Sequence, residues 1–264
     1  MRDVRRFVME TVLKLSDLSF SYHEPRRETK ALEGLSLTVG RGEFVAIVGP
    51  SGCGKTSVLS LITGLYKPSS GDIEVLGTTP ALAKGKLGYM LQRDELLEWR
   101  TIERNVLLGL EIRRELNDET RKKALEMLKK YGLYEFRRHY PGELSGGMRQ
   151  KAALIRTLAA EPELLLLDEP FSALDYQTRI SLEDEVRAII KQGGYTALLV
   201  THDISEAICM SDRVAVFSNR PAHVKREFET RLKGSAVERR ADAGFPALFD
   251  GIWKELKSDE RGAC

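Results

Sequence analysis

The chain contains 264 residues, with 41 Lys or Arg and 39 Asp or Glu, so its formal net charge is only +2. A charge so near balance gives no indication of nucleic-acid binding, and 42% hydrophobic with 30% charged residues is typical of an ordinary globular protein with a sizeable core. The three cysteines, Cys53, Cys209 and Cys264, lie far apart in the sequence. They predict neither a disulfide framework nor a zinc site, which indicates a reducing compartment.

The apolar segments of the chain are short. Runs such as 164–167 and 197–200 fall far below the roughly 18 apolar residues that a membrane helix needs. Residues 1–15 are basic and contain no continuous apolar core, so they do not resemble a secretory signal. If the protein works at a membrane, we expect another chain to cross it.

Two strands are predicted at the start of the chain. Residues 12–22 alternate apolar and polar side chains, residues 23–30 are polar and predict a loop, and residues 35–39 alternate again. Successive strands of this kind indicate a small antiparallel sheet. Tyr22 ends the first strand, where it is either a β-forming aromatic or a platform on which a purine stacks.

The most informative stretch is the segment that follows these strands. An apolar run at 44–48 leads through GPSGCGKT (residues 49–56) into a segment of helical composition, which is the pattern and the context of a P-loop. Glycines let the backbone N–H groups turn toward an anion, while Lys55 can reach the β- and γ-phosphates and Thr56 can ligate Mg²⁺. The predicted nucleotide contacts are Gly49, Pro50, Ser51, Gly52, Cys53, Gly54, Lys55, Thr56 and Ser57.

Beyond this loop the pattern predicts strands, then a block of helices, then strands again. We therefore expect a helical insertion over about 93–160, followed by buried strands that are separated by one helix, as in a βαβ unit. The predicted strands are 72–77, 86–92, 163–167 and 196–200, and the predicted helices are 101–114, 118–131 (capped by Asn117 or Asp118) and 175–191.

Carboxylates follow the apolar strand that ends in LLLLDEP. Because the carboxyl ends of parallel strands form the ligand crevice, we expect Asp168 and Glu169 beside the P-loop. Asp168 suits contact with Mg²⁺, and Glu169 could deprotonate an attacking water, which is worth about 10²–10⁴-fold in rate. His202 and Gln92 also lie at strand ends, where each could contact the γ-phosphate, although a lone histidine is more often structural.

A second glycine-rich motif, LSGGMRQ at 144–150, precedes a segment rich in Ala and Leu. Ser145, Gly146 and Gly147 at a helix start could form a second anion-binding nest, but the same residues are typical of an ordinary N-cap and turn. In a chain with a complete P-loop, two such elements indicate that one nucleotide is held between two copies.

Tyr22, GPSGCGKT, Gln92, LSGGM, LLLLDEP, SALD and VTHD, in this order, resemble the ATP-binding cassette of ABC transporters over about 13–220. The resemblance implies an α/β fold with a RecA-like P-loop NTPase core, an N-terminal antiparallel β-subdomain and an inserted α-helical subdomain. We place the cassette at 1–225 and a charged, irregular C-terminal extension at 226–264. Helical spacing at 245–256 predicts a closing helix packed on the core or, alternatively, one that binds a partner.

The resemblance also implies roles for single residues, with ATP and Mg²⁺ as the cofactors. The implied catalytic residues are Glu169, His202 and Lys55, and the implied metal contacts are Thr56, Gln92 and Asp168. The implied nucleotide contacts are Tyr22 on the adenine, the loop residues named above, Gln92, and Ser145, Gly146 and Gly147 on the nucleotide of the opposite subunit, with 172–175 at the subunit seam. Met148 departs from the commonest signature, which has Gln there.

Two further stretches, QRDELLEWRTIERNV and RPAHVKREFE, resemble the importer branch for nitrate, aliphatic sulfonates, taurine or bicarbonate. This implies a Mg-dependent ATPase that works as a head-to-tail dimer and drives a separate permease from the cytoplasmic side of the cell membrane. An extracytoplasmic solute-binding protein would be an indirect partner, and no nucleic acid is expected. The solute itself is not encoded here, because an ATPase subunit does not touch it.

Two other functions are alternatives to import. A soluble cassette ATPase acting on DNA or ribosomes would be indicated by coiled-coil insertions, zinc-binding cysteines, tandem cassettes or a basic arm. A non-catalytic, nucleotide-responsive module would be indicated by loss of Lys55, Glu169 or His202. The sequence has none of these features.

Overall fold

A computed structural model describes residues 10–24 and 27–258 of the chain. The strands are β1 (Thr11–Glu24), β2 (Arg27–Gly40), β3 (Phe44–Val48), β4 (Ser70–Val75), β5 (Leu87–Met90), β6 (Leu164–Asp168), β7 (Thr196–Thr201), β8 (Arg213–Phe217) and β9 (Val224–Glu229). They form an antiparallel sheet in the order β2-β1-β4 and a six-stranded sheet in the order β5-β6-β7-β3-β8-β9. The second sheet is parallel except for β9. The predicted fold class is confirmed.

Helices cover the larger sheet and fill the expected insertion. They are α1 (Lys55–Ile62), α2 (Pro80–Ala83), α3 (Ile102–Arg113), α4 (Asp118–Lys130), α5 (Gly146–Leu158), α6 (Tyr176–Gln192), α7 (Ile204–Met210), α8 (Ala236–Arg240) and α9 (Phe245–Lys257). The caps explain several boundaries: the Thr101 side chain accepts from Arg104 N before α3, and Asn117, rather than Asp118, forms a capping box with Thr120 before α4. Among the described residues, no helix combines the length and apolar character needed to cross a bilayer.

The central strand β3 is buried along its whole length because both faces of its sheet are covered. Phe44, Ala46 and Val48 join the buried cluster that contains the apolar faces of α3, α5, α6 and α7. Val45 and Ile47, which alternate with them, join the cluster shared by α1 and the antiparallel sheet. The end of β3, and therefore the loop that follows it, is fixed from both sides.

Most of the segment 23–30, which was predicted to be a loop, instead belongs to the two strands of a β-hairpin in the antiparallel sheet. Strand β1 continues to Glu24 and β2 begins at Arg27, so His23 pairs with Glu28 near the tip. Ladder hydrogen bonds join backbone groups, and an exposed hairpin arm needs no apolar side chains to make them. Polarity alone was therefore a poor guide to where these strands end.

The C-terminal segment is more regular than its composition suggested. Strand β9 runs across position 226, the expected start of an irregular extension, and pairs with β8. Its charged side chains are tolerated because β9 is an edge strand, and the Arg226 guanidinium lies over the Phe228 ring. The short α8 was not predicted. Helix α9 covers the predicted helical stretch, buries Ile252 and packs its apolar face on the larger core cluster.

Candidate functional site

The loop after β3 turns tightly, and glycines occupy its closest approaches to neighbouring segments. Gly54 has φ of 131°, and a Cβ there would lie 3.0 Å from the Ala31 carbonyl oxygen. A Cβ on Gly49 would lie 3.0 Å from Cys53 Sγ and from Phe217 Cβ. Because a side chain fits at neither position, the loop can approach the neighbouring backbone closely only with glycine there.

Lys55 starts α1 and is almost fully buried, with 5% of its surface exposed. Its Nζ donates to the carbonyl oxygens of Gly49 (2.8 Å) and Pro50 (2.9 Å), and no ion pair involves it within the described residues. A buried ammonium held only by carbonyls gains from an added anion. The loop and Lys55 therefore fit a phosphate group.

The side chain of Cys53 packs in the core beneath the loop. It is buried, and burial raises the pKa of its thiol, while its backbone N–H donates to the Pro50 carbonyl oxygen at 3.2 Å. Cys53 could contact a nucleotide only through its backbone. Ser51 is exposed at the loop tip, whereas Ser57 is buried and bonds the Tyr22 hydroxyl at 2.9 Å.

Tyr22 forms part of a small aromatic group at the end of the antiparallel sheet. Its ring lies edge-on to Phe20, with ring centroids 4.8 Å apart, and edge-on to Tyr66 at 5.7 Å. The ring is partly exposed. Through the bond to Ser57, it is fixed relative to α1 and the phosphate loop, as a base-stacking platform requires.

A set of oxygen donors lies where β6 ends beside α1. Thr56 Oγ1 is 3.4 Å from Asp168 Oδ1, and the Tyr89 hydroxyl donates to Asp168 Oδ2 at 3.2 Å. Burial raises the pKa of Asp168, although the bonds from Tyr89 and Thr56 oppose this shift. Burial and the Asp168 charge also raise the pKa of Tyr89.

These donors fit Mg²⁺, which takes one or two protein oxygens and completes its shell with phosphate and water. No group of three His, Cys, Asp or Glu side chains that could hold a metal ion alone occurs in the described part of the chain. A carboxylate that is poorly solvated gains from a nearby cation. Tyr89 was not predicted, and only its place on the strand paired with β6 could have indicated its role.

Glu169, His202 and Gln92 meet at the same edge of the sheet. His202 Nδ1 lies 3.0 Å from Glu169 Oε2, and Gln92 Nε2 lies 3.4 Å from the same oxygen and 3.3 Å from Ser172 Oγ. The cluster combines the ends of β5, β6 and β7. Gln92 therefore faces Glu169 rather than the Thr56–Asp168 pair, so its contact with the metal stays a prediction.

The signature motif, LSGGMRQ at 144–150, lies apart from the phosphate loop. Ser145 caps α5 by accepting from Met148 N, and a Cβ on Gly147 would lie 2.7 Å from Thr178 Cγ2 of α6. Ser145 and Gly147 line a depression between α5 and α6 to which no residue of the phosphate loop contributes. Met148 is partly buried and packs on the core. One chain thus presents two separate glycine-rich helix starts.

Comparisons with known proteins agree with this geometry. A family model described as ABC transporter matches residues 32–172. The uncharacterized ABC transporter ATP-binding protein YtlC of Bacillus subtilis is 46% identical over 252 residues, covering 94% of this chain and 97% of that protein. The chain belongs to the ABC transporter family.

This ABC cassette also matches solved structures and named import subunits. It superposes on the dimeric ATP-binding cassette MJ0796, in a post-hydrolysis state bound to ADP and Pi, with a TM-score of 0.72 and 32% identity over 83% of this chain and 99% of that one. The aliphatic sulfonates import ATP-binding protein SsuB 1 of Rhodococcus jostii is 40% identical, covering 86% of this chain and 89% of that protein.

Proposed function

We propose that this ABC cassette hydrolyses ATP with Mg²⁺ and so powers import of a small solute through a separate permease. The observation that carries the proposal is the cluster of Glu169, His202 and Gln92 beside Lys55 and the Thr56–Asp168 pair. Relatives named for aliphatic sulfonate, taurine and nitrate import support the solute class, which includes bicarbonate by resemblance. They give no support to a role on nucleic acid or ribosomes.

The residues divide the work of hydrolysis. Glu169 accepts the proton of the attacking water, and the bond from His202 holds its carboxylate in place. His202 is exposed and would contact the γ-phosphate. Lys55 and the N–H groups of the loop bind the phosphates. Mg²⁺, held through Thr56 and Asp168, would neutralise part of the developing phosphate charge.

A second copy of the chain would complete the site. Ser145 is exposed at the start of α5, in a depression that no residue of its own phosphate loop lines, and 172–175 follow Glu169 after two residues. In a head-to-tail dimer, each signature motif would close over the nucleotide of the other subunit. ATP binding would close the pair, and hydrolysis would reopen it.

The segment after Gln92 supplies a surface for the permease at the cytoplasmic face of the membrane. Trp99 is 76% exposed there. The fully buried Asn105 holds this turn from below: its Oδ1 accepts from Leu97 N at 2.7 Å, and its Nδ2 donates to the carbonyls of Leu97 and Arg100. The Arg156 guanidinium of α5 also donates to carbonyls of this segment. Movement of the docked permease would therefore be transmitted to α5, the helix that begins at the LSGGMRQ motif.

The decisive experiment compares Glu169→Gln with wild type in a Mg-dependent ATPase assay and in ATP binding. We expect hydrolysis to fall by about 10²–10⁴-fold, the usual worth of a general base, while ATP binding persists and the variant is trapped as a dimer. Lys55→Ala should lose binding as well. Glu119→Gln, an exposed carboxylate of α4, is the matched control and should hydrolyse ATP normally. Wild-type turnover by Glu169→Gln would contradict the role given to Glu169.

A further inference from the structure

The loop after β8 brings a cation to the phosphate loop. Strand β8 lies beside β3 in the parallel sheet, so both strands end at the same edge. Arg220 follows β8, and its Nη2 donates to the carbonyl oxygen of Gly52 at 2.7 Å. Gly52 lies at the exposed tip of the phosphate loop with φ of 73°. Arg220 begins the stretch RPAHVKREFE, but no role was predicted for this side chain.

The segment that carries Arg220 is anchored on both sides. Ala222 N donates to the Ala31 carbonyl at 2.9 Å, and its own carbonyl accepts from Glu33 N at 3.1 Å, which ties the segment to β2. On the other side, Ser218 Oγ accepts from His223 N at 3.0 Å. Arg220 therefore extends from a backbone that is already fixed, so little ordering is needed to hold its guanidinium against the loop.

The contact also orients the peptide between Gly52 and Cys53. In a trans peptide the C=O and N–H point in opposite directions. Arg220 holds the carbonyl outward, and the Cys53 N–H accordingly points inward, where it donates to Pro50 O at 3.2 Å. Lys55 holds the carbonyls of Gly49 and Pro50 in the same manner. Two cations thus hold carbonyl oxygens of the loop, and the peptide between Gly52 and Cys53 is held at both its C=O and its N–H.

The positive charge of Arg220 is not used elsewhere. The side chain is exposed, and no ion pair involves it in residues 10–24 and 27–258. Other arginines near this sheet are paired: Arg213 with Glu43, and Arg231 with Glu229. An unpaired guanidinium at the rim of a phosphate site attracts a polyanion.

We propose that Arg220 is a positioning residue of the phosphate loop, specific for nucleotides that carry a β-phosphate. It acts through the Gly52–Cys53 peptide and through its charge, and it belongs to the binding step rather than to the proton transfer at Glu169. The inference rests on the proposed function, because it assumes that the loop binds ATP or ADP.

The test measures binding of ATP, ADP and AMP to the full chain with Mg²⁺ for wild type, Arg220→Gln and Arg220→Lys. Arg231→Gln is the matched control, since it removes an exposed arginine at the opposite edge of the sheet. We expect Arg220→Gln to bind ATP and ADP roughly tenfold more weakly, as for loss of one charge-assisted hydrogen bond. AMP affinity should not change, and Arg220→Lys should recover part of the loss.

Three other readouts separate positioning from a general effect on the fold. The thermal midpoint of Arg220→Gln should match that of wild type, and its turnover at saturating ATP should be unchanged. The difference in ATP affinity between wild type and Arg220→Gln should become smaller at high salt. If Arg220→Gln and Arg231→Gln bound ATP with equal affinity, the role of Arg220 would be overturned while the proposed function would stand. The same holds if Arg220→Gln lost as much affinity for AMP as for ATP. Failure of the wild type to bind ATP would instead overturn the proposed function, and this inference with it.

Discussion

Glu169 has a backbone conformation that few residues other than glycine adopt. Its φ is 45°, and its N–H donates to the Val200 carbonyl of β7 at 2.8 Å. Such strain costs about 1–3 kcal/mol and persists only where the surroundings enforce it. Here it turns the chain sharply after Asp168, so that consecutive carboxylates face different partners: Asp168 meets Thr56 and Tyr89, while Glu169 meets His202. Adjacent residues can therefore serve metal binding and proton transfer separately.

Glu206 is a deeply buried carboxyl group near this turn. Its Oε2 accepts from the Thr201 hydroxyl at 3.1 Å, and within the described residues its Oε1 has no partner. Burial raises the pKa of Glu206 well above its ordinary value, and the charges of Glu183 and Asp203 raise it further, against Thr201 and Arg179. The folded protein therefore holds a proton that the unfolded chain releases.

The raised pKa of Glu206 sets the direction in which protein stability changes with pH. Since the folded state binds more protons, the free energy of unfolding falls as pH rises from about 4.5 through the raised pKa. Glu206→Gln removes this titration, so the stability of the variant relative to wild type should increase as the pH rises from 4.5 to 8. Urea unfolding between pH 4.5 and 8 measures it. A stability difference that stayed constant over this range would contradict the assignment.

At the scale of elements, the start of α5 packs closely on α6. The gap leaves no room for a methyl group at Gly147, where a Cβ would lie 2.7 Å from Thr178 Cγ2, and little at Gly146, where the nearest atom, Leu174 Cδ2, would be 3.3 Å away. Threonine is stiff at χ1 in a helix, so its methyl group cannot easily turn aside. The signature glycines are thus required by helix packing as well as by any phosphate contact.

Gly147→Ala should destabilise the protein by about 1–3 kcal/mol through overpacking, even though alanine favours helix. Thr178→Ser removes the opposing methyl group, so the double variant should regain most of the loss. Gly146→Ala, with its wider gap, serves as the milder control. Thermal or urea unfolding of wild type, Gly147→Ala, Thr178→Ser and the double variant measures the coupling between positions 147 and 178. Additive effects of the two substitutions would show that the contact is not the cause.

The elements were predictable to different degrees. Strand β3 and helix α4 lie where hydrophobic spacing and cap residues predicted them, because both signals are local. The hairpin arm beyond Tyr22, strand β9 and helix α8 were missed. The hairpin arm and β9 are held by backbone pairing with the neighbouring strand, and α8 by packing against α6 and α7. Charged side chains hid all three from a pattern based on polarity.

At the scale of the whole molecule, the C-terminal segment is bound to the cassette by buried charges. Arg239 of α8 is 1% exposed and donates to the Ser211 carbonyl at 2.6 Å, at the end of α7. Arg240 donates to Glu183 of α6 at 2.9 Å, and the Glu183 side chain is 1% exposed. Burial raises the pKa of Glu183, and the Arg240 charge opposes this. We infer that residues 226–258 complete the cassette rather than follow it as a separate unit.

Removing one partner of this pair leaves the other buried and uncompensated. Arg240→Gln should therefore lower the free energy of unfolding by roughly 3 kcal/mol, whereas Glu183→Gln combined with Arg240→Gln should regain much of it. A urea-unfolding cycle over the single and double variants gives the coupling. Arg226→Gln, whose partner Glu255 is on the surface helix α9, is the control and should cost little. An Arg240→Gln variant as stable as that control would argue against a locked C-terminal segment.

The sequence by itself determined the family, the fold class and the identity of the residues at the phosphate loop, because each is encoded in short motifs or local spacing. Only the tertiary structure decided which of these side chains meet. It turned the Cys53 thiol into the core, directed Gln92 toward Glu169, and brought Tyr89 to Asp168 and Arg220 to Gly52. Those contacts join strands that are neighbours in the sheet but far apart along the chain, so no local pattern of residues can encode them.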